Sequence, residues 1–252
     1  MLRRLLTIGL LTFPIGELAA GQCQHLVAIG VGERAPYQWQ TPDQPGPQGA
    51  SVTLLTRVAE QLGLTLDILT ADSLEQAEQE VVSGRVDLLI DATLRPELLE
   101  ELDFLHPPLY EIPVVAWVAK ERAFAFRGGE DLQGRKGVSV GEASPVEDQL
   151  RLIAIGDFSQ AIMRMLAGEV DYVLFEQWTG QLEVLRQEWE DQVEVLLPPV
   201  YKWPRYLALS QNSACNFPEL RGGLTKSLHR STSEGAAESS IREAISGGSV
   251  QK

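Results

Sequence analysis

One short sequence phrase occurs twice in this chain, and it constrains the fold more than any other feature. Gly84-x-Val86-Asp87 ends a predicted helix and opens an apolar strand, and Gly168-x-Val170-Asp171 does the same. The two copies start 84 residues apart, a spacing that is typical of domains rather than of solenoids. A helix, a glycine stop and a continuous apolar strand form half of a βαβ unit. The repeat therefore predicts two α/β halves, although one such echo also arises by chance.

Other predicted elements surround the two copies. Residues 26–31 form a β-rich first strand, and a Pro- and Gly-rich loop or hairpin tip follows at 41–49. We expect Ser51 to cap the next helix. Extended segments at 112–119 and 206–209 are predicted to cross between the halves. Two such crossings would make a hinge.

The first twenty residues have the three parts of a secretory signal peptide. Two arginines precede a short apolar run, and the small residues Ala19-Ala20-Gly21 follow it. The alternatives are an N-terminal core helix and a membrane anchor, while Gln22 before Cys23 disfavours a lipoprotein signal. No later segment has eighteen uninterrupted apolar residues. We therefore expect a soluble mature protein in the periplasm.

Charge and cysteine content exclude several classes of function. The 252 residues include 21 basic and 35 acidic side chains, for a net charge of -14, which disfavours nucleic acid as a partner. Two cysteines and three histidines are too few for a zinc framework, and we expect neither a metal nor a cofactor. Cys23 and Cys215 are either a disulfide, which export would permit, or two unrelated buried thiols.

Acidic residues end both repeated strands. Asp91 follows the strand at 86–90, and Glu176 follows the strand at 170–175. Ligands of open α/β sheets bind beyond the carboxyl ends of the strands, so the two acids would together bind a cationic or amine-bearing solute. The alternative is that each acid caps the helix that follows it.

Two aromatic residues in the first loop are further candidates for ligand contact. Tyr37 and Trp39 flank Gln38, so in an extended segment both side chains face one way. They would stack on a planar group or surround a cation. Ordinary packing in a lobe core is the alternative.

A series of motifs, in this order, links the chain to a known family. They are Ala35-Pro36-Tyr37, Gln61-Leu62-Gly63-Leu64, the first repeated phrase, Arg95-Pro96-Glu97-Leu98, Asp103-Phe104-Leu105-His106-Pro107, Asp131-Leu132-Gln133-Gly134-Arg135-Lys136 and the second repeated phrase. Over about residues 26–230 the chain resembles the periplasmic solute-binding proteins of amino-acid ABC importers, family 3. The resemblance implies an α/β periplasmic binding protein fold (type II-like) with two lobes and two hinge strands, which closes over a polar solute.

The resemblance also implies site residues, and the chain departs from the pattern at one of them. The family's Thr-Pro-Glu-Arg turn carries an arginine that clamps a ligand carboxylate, and Leu98 stands at that position. Either Arg95 replaces the clamp or the solute lacks that carboxylate. Thr93 on the same segment is a further candidate. Ser144 stands where the family holds a carboxylate at a helix N-terminus, or it is a generic N-cap. In the family, an acid at the position of Glu176 contacts the ligand amine.

These expectations define an exported solute-binding protein. It would be a monomer that captures a small polar, amine-bearing molecule, such as an amino acid or a derivative, and delivers it to ABC transporter membrane subunits. The alternatives are a periplasmic dehydratase-like enzyme of the same fold, with Glu176 as its acid or base, and a non-transport sensory receptor. The expected boundaries are 1–20 for the signal peptide, 21–114 for the first part of lobe 1, 115–204 for lobe 2, 205–235 for the return to lobe 1, and 236–252 for a C-terminal helix and tail.

Overall fold

A computed structural model describes residues 23–42, 45–141 and 146–246 of the chain. The predicted signal peptide and Ser144 lie outside these ranges. The strands are β1 (His25–Val31), β2 (Glu33–Arg34), β3 (Gln38–Trp39), β4 (Thr65–Ala71), β5 (Leu88–Ala92), β6 (Leu102–Ala119), β7 (Gly137–Val140), β8 (Ile153–Ile155), β9 (Tyr172–Glu176) and β10 (Val193–Ser210). The helices are α1 (Ala50–Gln61), α2 (Leu74–Val82), α3 (Glu147–Leu150), α4 (Phe158–Leu166), α5 (Gln177–Arg186), α6 (Pro218–Ser233) and α7 (Ala236–Ser246).

A mixed eight-stranded sheet runs through both lobes in the order β4-β1-β5-β10-β6-β9-β7-β8. At one end β1 pairs in parallel with β4 and β5, and at the other end β7 pairs in parallel with β8 and β9. The central strands β10 and β6 are antiparallel to each other and to their outer neighbours. The parallel groups form two lobes, so the predicted two-lobed α/β fold is confirmed.

The central strands β6 and β10 belong to both lobes. Each is 18 residues long. In lobe 1 they pair from Ser210 with Leu102 up to Arg205 with Tyr110, and in lobe 2 from Leu196 with Ala116 to Val193 with Ala119. The predicted extended segments at 112–119 and 206–209 lie within these two strands, which are the hinge strands of the fold.

Each lobe buries apolar side chains on both faces of its part of the sheet. Helices α1, α6 and α7 cover one face in lobe 1, where Leu88 and Ile90 of β5 are buried, and α2 covers the other face, where Leu89 is buried. In lobe 2 Phe158 of α4 packs edge-on against Trp117 of β6. Because β5 is covered on both faces, its sequence from Leu88 to Ile90 is continuously apolar rather than alternating.

The repeated phrase performs one structural task in both lobes. Its two glycines have left-handed backbones, with φ of 76° and 79°, as a helix stop requires. Asp87 accepts a hydrogen bond from the backbone N–H of Val27 at 2.8 Å, and Asp171 accepts one from Lys136 at 2.8 Å. The backbone N–H of each aspartate donates back to the same neighbour, at 3.0 and 2.7 Å. Each aspartate thereby fixes the start of a parallel strand pair.

The N-cap of α1 differs from the prediction. Gly49 occupies the cap position with φ of 121°, and no side chain caps the helix. A Cβ at this glycine would lie 2.2 Å from the carbonyl oxygen of Tyr37, so the position excludes larger residues. Ser51 lies inside the first turn of the helix and is fully buried. The prediction that Ser51 caps the helix is therefore wrong, and its hydroxyl is free for another partner.

Cys23 and Cys215 form a disulfide, with their Cα atoms 5.3 Å apart. It connects the residues before β1 to the segment before α6. The two cysteines are 192 positions apart in sequence, so the bond closes a loop that contains both lobes.

Candidate functional site

A groove lies between the lobes where their parallel strands end. A smaller cavity of about 290 Å³ is lined by Val31, Glu33, Arg34, Leu74, Ile90, Asp91, Val140, Gly141, Phe175, Glu176 and Trp203. A larger cavity of about 560 Å³ adjoins it and is lined by Gly32, Glu33, Arg34, Ala35, Trp39, Gln40, Thr41, Phe175, Glu176, Thr179 and Arg186. The carboxyl ends of β1 and β5 thus meet those of β7 and β9, as expected for ligand sites of α/β sheets.

Asp91 is a buried acid with an unusual backbone. It lies near the end of β5 with φ of 60°, the left-handed region that few non-glycine residues adopt. The Oγ atom of Ser51 lies 3.1 Å from each of its carboxylate oxygens and 2.9 Å from the hydroxyl of Tyr110. Burial raises the pKa of Asp91, while Arg34 opposes this rise. A buried acid on strained backbone is typical of functional positions.

Glu176 faces the same smaller cavity from the other lobe. Its side chain is 12% exposed. The Nη2 atom of Arg34 donates to Oε1 of Glu176 at 3.0 Å, and the hydroxyl of Thr179 donates to Oε2 at 2.9 Å. Burial lowers the pKa of Arg34, but the nearby carboxylates of Glu176 and Asp91 outweigh burial and raise it. The guanidinium is therefore a permanent cation between two acids.

Neither acid caps a helix through its side chain. Glu176 occupies the N-cap position of α5 but makes no side-chain hydrogen bond to that helix's backbone. Asp91 lies within β5 and is bonded to Ser51 instead. Instead of capping backbone N–H groups, both carboxylates accept hydrogen bonds from hydroxyls in the first turns of helices, Asp91 from Ser51 of α1 and Glu176 from Thr179 of α5.

The two candidate aromatic residues lie in different surroundings. Tyr37 is fully buried and stacks on Tyr110, with ring centroids 5.1 Å apart, and burial raises its pKa well above the ordinary value. The guanidinium of Arg34 lies 5.4 Å from the centroid of the Tyr37 ring. Tyr37 thus supports a cation of the protein itself. Trp39 lines the larger cavity.

Two other candidates, Thr93 and Arg95, are not among the residues that line either cavity. Thr93 accepts a hydrogen bond from Arg205. Arg95 forms an ion pair with Glu78 of α2 at 2.5 Å, and its side chain is 44% exposed. Leu98, at the family's clamp position, packs against the apolar core under α2. The structure therefore gives Arg95 a partner on the outside of lobe 1, where it does not face the groove.

Sequence reasoning missed four members of this site, namely Arg34, Ser51, Tyr110 and Thr179. Arg34 follows the first strand by three residues, so the strand-end rule that selected Asp91 and Glu176 also selects it. Ser51 had the residue type of an N-cap. Tyr110 comes from the middle of a hinge strand, which no local pattern connects to Asp91.

The described part of the chain shows neither a cluster of metal-binding side chains nor a helix that could span a membrane. None of its acidic, histidine or cysteine side chains gather in threes around a point where a metal ion would fit. In the same ranges, every helix is too short or too polar to cross a bilayer.

Comparison with known proteins gives one family match. The family model of bacterial extracellular solute-binding proteins, family 3, matches residues 27–234. No curated protein matches the sequence.

Solved structures share the fold at low sequence identity. The unliganded, open L-cystine solute receptor of Neisseria gonorrhoeae has a TM-score of 0.70 and 16% identity, over 90% of this chain and 94% of that one. The amino acid ABC transporter substrate-binding protein AbpA from Streptococcus pneumoniae Canada MDR_19A, bound to L-arginine, has a TM-score of 0.60 and 20% identity, over 91% and 97%. A histidine kinase sensor domain with similarity to periplasmic binding proteins has a TM-score of 0.61 and 21% identity, over 90% and 97%.

Proposed function

The chain belongs to the bacterial extracellular solute-binding proteins of family 3, and on this premise we propose that it captures a small polar solute between its lobes. One observation carries the proposal: Asp91 from lobe 1 and Glu176 from lobe 2 line the same cavity. A solute that contacts both lobes binds the closed arrangement selectively and therefore favours closure.

The charges of the smaller cavity favour a solute with an amine or another cation. Its lining includes three acids, Glu33, Asp91 and Glu176, but only one base among the residues described there, Arg34. A partly desolvated carboxylate binds a cation through hydrogen bonds of about 1.5–3 kcal/mol each. The apolar walls of Phe175 and Trp203 leave room for a carbon chain. An amino acid or an amine-bearing derivative fits this combination.

Delivery to ABC transporter membrane subunits is the transport role that we propose for the closed form. Family membership and the L-arginine-bound relative support this role. The protein would reach the outer face of this membrane complex as an exported monomer. An expected consequence is that loss of the protein lowers uptake of its solute.

Ligand-dependent thermal stability tests the binding site. Protein that has been unfolded, dialysed and refolded is screened against amines and amino acids. A ligand at about 100 times its Kd stabilises the native state by about 2.7 kcal/mol, which raises the Tm by several degrees. We expect the same rise in Glu190→Gln, an exposed acid of the same lobe, and a loss of the rise in Glu176→Gln.

Two results of this screen would contradict the proposal. One is the absence of any Tm change across the panel with refolded, ligand-free protein. The other is an equal rise in Glu176→Gln and in the wild type, which would place the ligand elsewhere.

A second candidate function is that of a sensory receptor. The similarity to a histidine kinase sensor domain favours it, since that fold is used there for sensing. The two roles differ in cells: a sensor leaves uptake of the identified solute unchanged when it is deleted, whereas an importer component does not.

A further inference from the structure

The ion pair between Arg34 and Glu176 stands at the boundary of the two cavities. Glu33, Arg34, Phe175 and Glu176 line both of them. Arg34 comes from β2, next to the first strand of lobe 1, and Glu176 comes from the junction of β9 and α5 in lobe 2. The pair therefore divides the groove and connects its two walls.

The surroundings of the pair distinguish it from ion pairs of the protein surface. The side chains of Arg34 and Glu176 are 25% and 12% exposed, whereas the pair of Arg85 with Glu80 joins two side chains that are 63% and 31% exposed. Arg85 and Glu80 are also five positions apart in one lobe. Partial burial reduces the screening of this ion pair by water and salt. Because Arg34 belongs to lobe 1 and Glu176 to lobe 2, their attraction pulls the two lobes toward each other.

Arg34 occupies the position that an amine-bearing solute would need. Its guanidinium lies against Glu176, with Asp91 close enough to raise its pKa. Both oxygens of Glu176 already accept a hydrogen bond, one from Arg34 and one from Thr179. A second cation at this carboxylate would have to replace the guanidinium or share the carboxylate with it at close range.

We propose that Arg34 is a tethered cation that holds the two lobes together through Glu176 until the cationic group of a ligand displaces it. The ligand-free protein is then partly closed, and Arg34 sets a threshold that a ligand must exceed. The displacement by a ligand rests on the proposed function, whereas the contact between the lobes does not.

Chemical rescue tests whether the site accepts a free cation in place of Arg34. The probe is methylguanidinium, which reproduces the head group of the side chain. In Arg34→Ala, millimolar methylguanidinium chloride is expected to raise the Tm relative to the same concentration of sodium chloride. The wild type, whose site is filled, and the matched variant Arg85→Ala are expected to show no rise. Arg34→Gln takes the place of Arg34→Ala if the alanine variant does not fold.

The separation of the lobes is measured independently by small-angle X-ray scattering of ligand-free protein. Arg34→Gln and Glu176→Gln break the same pair from its two sides, so both are expected to increase the radius of gyration. Arg85→Gln makes the same charge change as Arg34→Gln, but outside the groove, and is expected to leave the radius of gyration unchanged.

The outcomes separate this proposal from the proposed function. Unchanged radii in both groove variants, or methylguanidinium rescue that is absent or equal in Arg85→Ala, overturn the role of Arg34. The solute screen with wild-type protein can still succeed in that case. Conversely, rescue and opening can occur in a protein for which no amine raises the Tm, which would overturn amine capture and the displacement of Arg34 by a ligand but not the contact between the lobes.

Discussion

Asp91 makes stability depend on pH in a direction that can be measured. Its ordinary pKa is 3.8 and burial raises it in the folded protein, against the opposing effect of Arg34. The folded state then binds more protons than the unfolded state between the two pKa values. Stability therefore falls as the pH rises through that interval. Asp91→Asn removes this titration, so we expect its urea unfolding free energy to fall less than that of the wild type from about pH 4 upward.

A matched variant identifies the source of that pH dependence. Asp72 is exposed in the segment that precedes α2, and Asp72→Asn is expected to follow the wild-type profile. Superimposable profiles for Asp91→Asn and the wild type would show that Asp91 does not titrate differently in the folded state.

At the residue scale, the sequence predicts the side chains at the ends of strands and little else. Asp91 and Glu176 each come directly after a recognisable apolar run, so the topology alone brings them to one edge. Ser51 and Tyr110 reach Asp91 from a helix and from a hinge strand, and only tertiary packing brings these together. The long side chain of Arg95 has many accessible conformations, and its partner Glu78 decides which one it adopts.

Helix α5 packs against the hinge through a glycine, and this gives a test at the scale of elements. A Cβ added at Gly180 would lie 2.4 Å from the indole of Trp117. Although alanine favours helices, this overlap is expected to make Gly180→Ala less stable by about 1–3 kcal/mol in urea unfolding. A Cβ added at Gly222 of α6 would meet no atom within 4 Å, so Gly222→Ala should be more stable by about 0.5–1 kcal/mol. A neutral or stabilising Gly180→Ala would contradict this packing.

The helix–glycine–strand units are predictable because all their signals are local. The full length of the hinge strands is not, since prolines interrupt both sequences and normally exclude a central strand. In the structure, Pro107 and Pro108 lie between the pairings of Leu105 and Tyr110, where the register of β6 with β10 shifts. Because the pairing is irregular there, no ladder hydrogen bond requires the N–H groups that these two prolines lack. The strand therefore continues through Pro107 and Pro108.

The disulfide acts on the whole molecule. Because it closes a loop of almost the entire described chain, its removal restores much conformational freedom to the unfolded state. The double variant Cys23→Ser, Cys215→Ser is expected to lose about 2–5 kcal/mol of unfolding free energy. Reductant should lower the wild-type stability by a similar amount and leave the variant unchanged. Equal stability of variant and wild type would show that the bond contributes little.

At the scale of the whole molecule, the order of weak motifs was sufficient to predict the two-lobed fold, because each motif marks a turn or strand that the topology requires. The occupant of the groove was harder to predict. The cation that faces Glu176 is supplied by the chain itself, 142 positions away, and no motif of the resemblance includes it.

The two connections between the lobes are the paired strands β6 and β10, and the register of β10 against β6 shifts between Leu196 and Tyr201. Rotation of one lobe against the other would be concentrated in this short stretch of backbone, while the regular pairing on either side persists. A solute that never touches these residues would still alter how fast the amides of Leu197, Val200 and Tyr201 take up deuterium, since Pro198 and Pro199 have no N–H. This stretch is thus a label-free reporter of occupancy, readable by mass spectrometry before the solute has been identified.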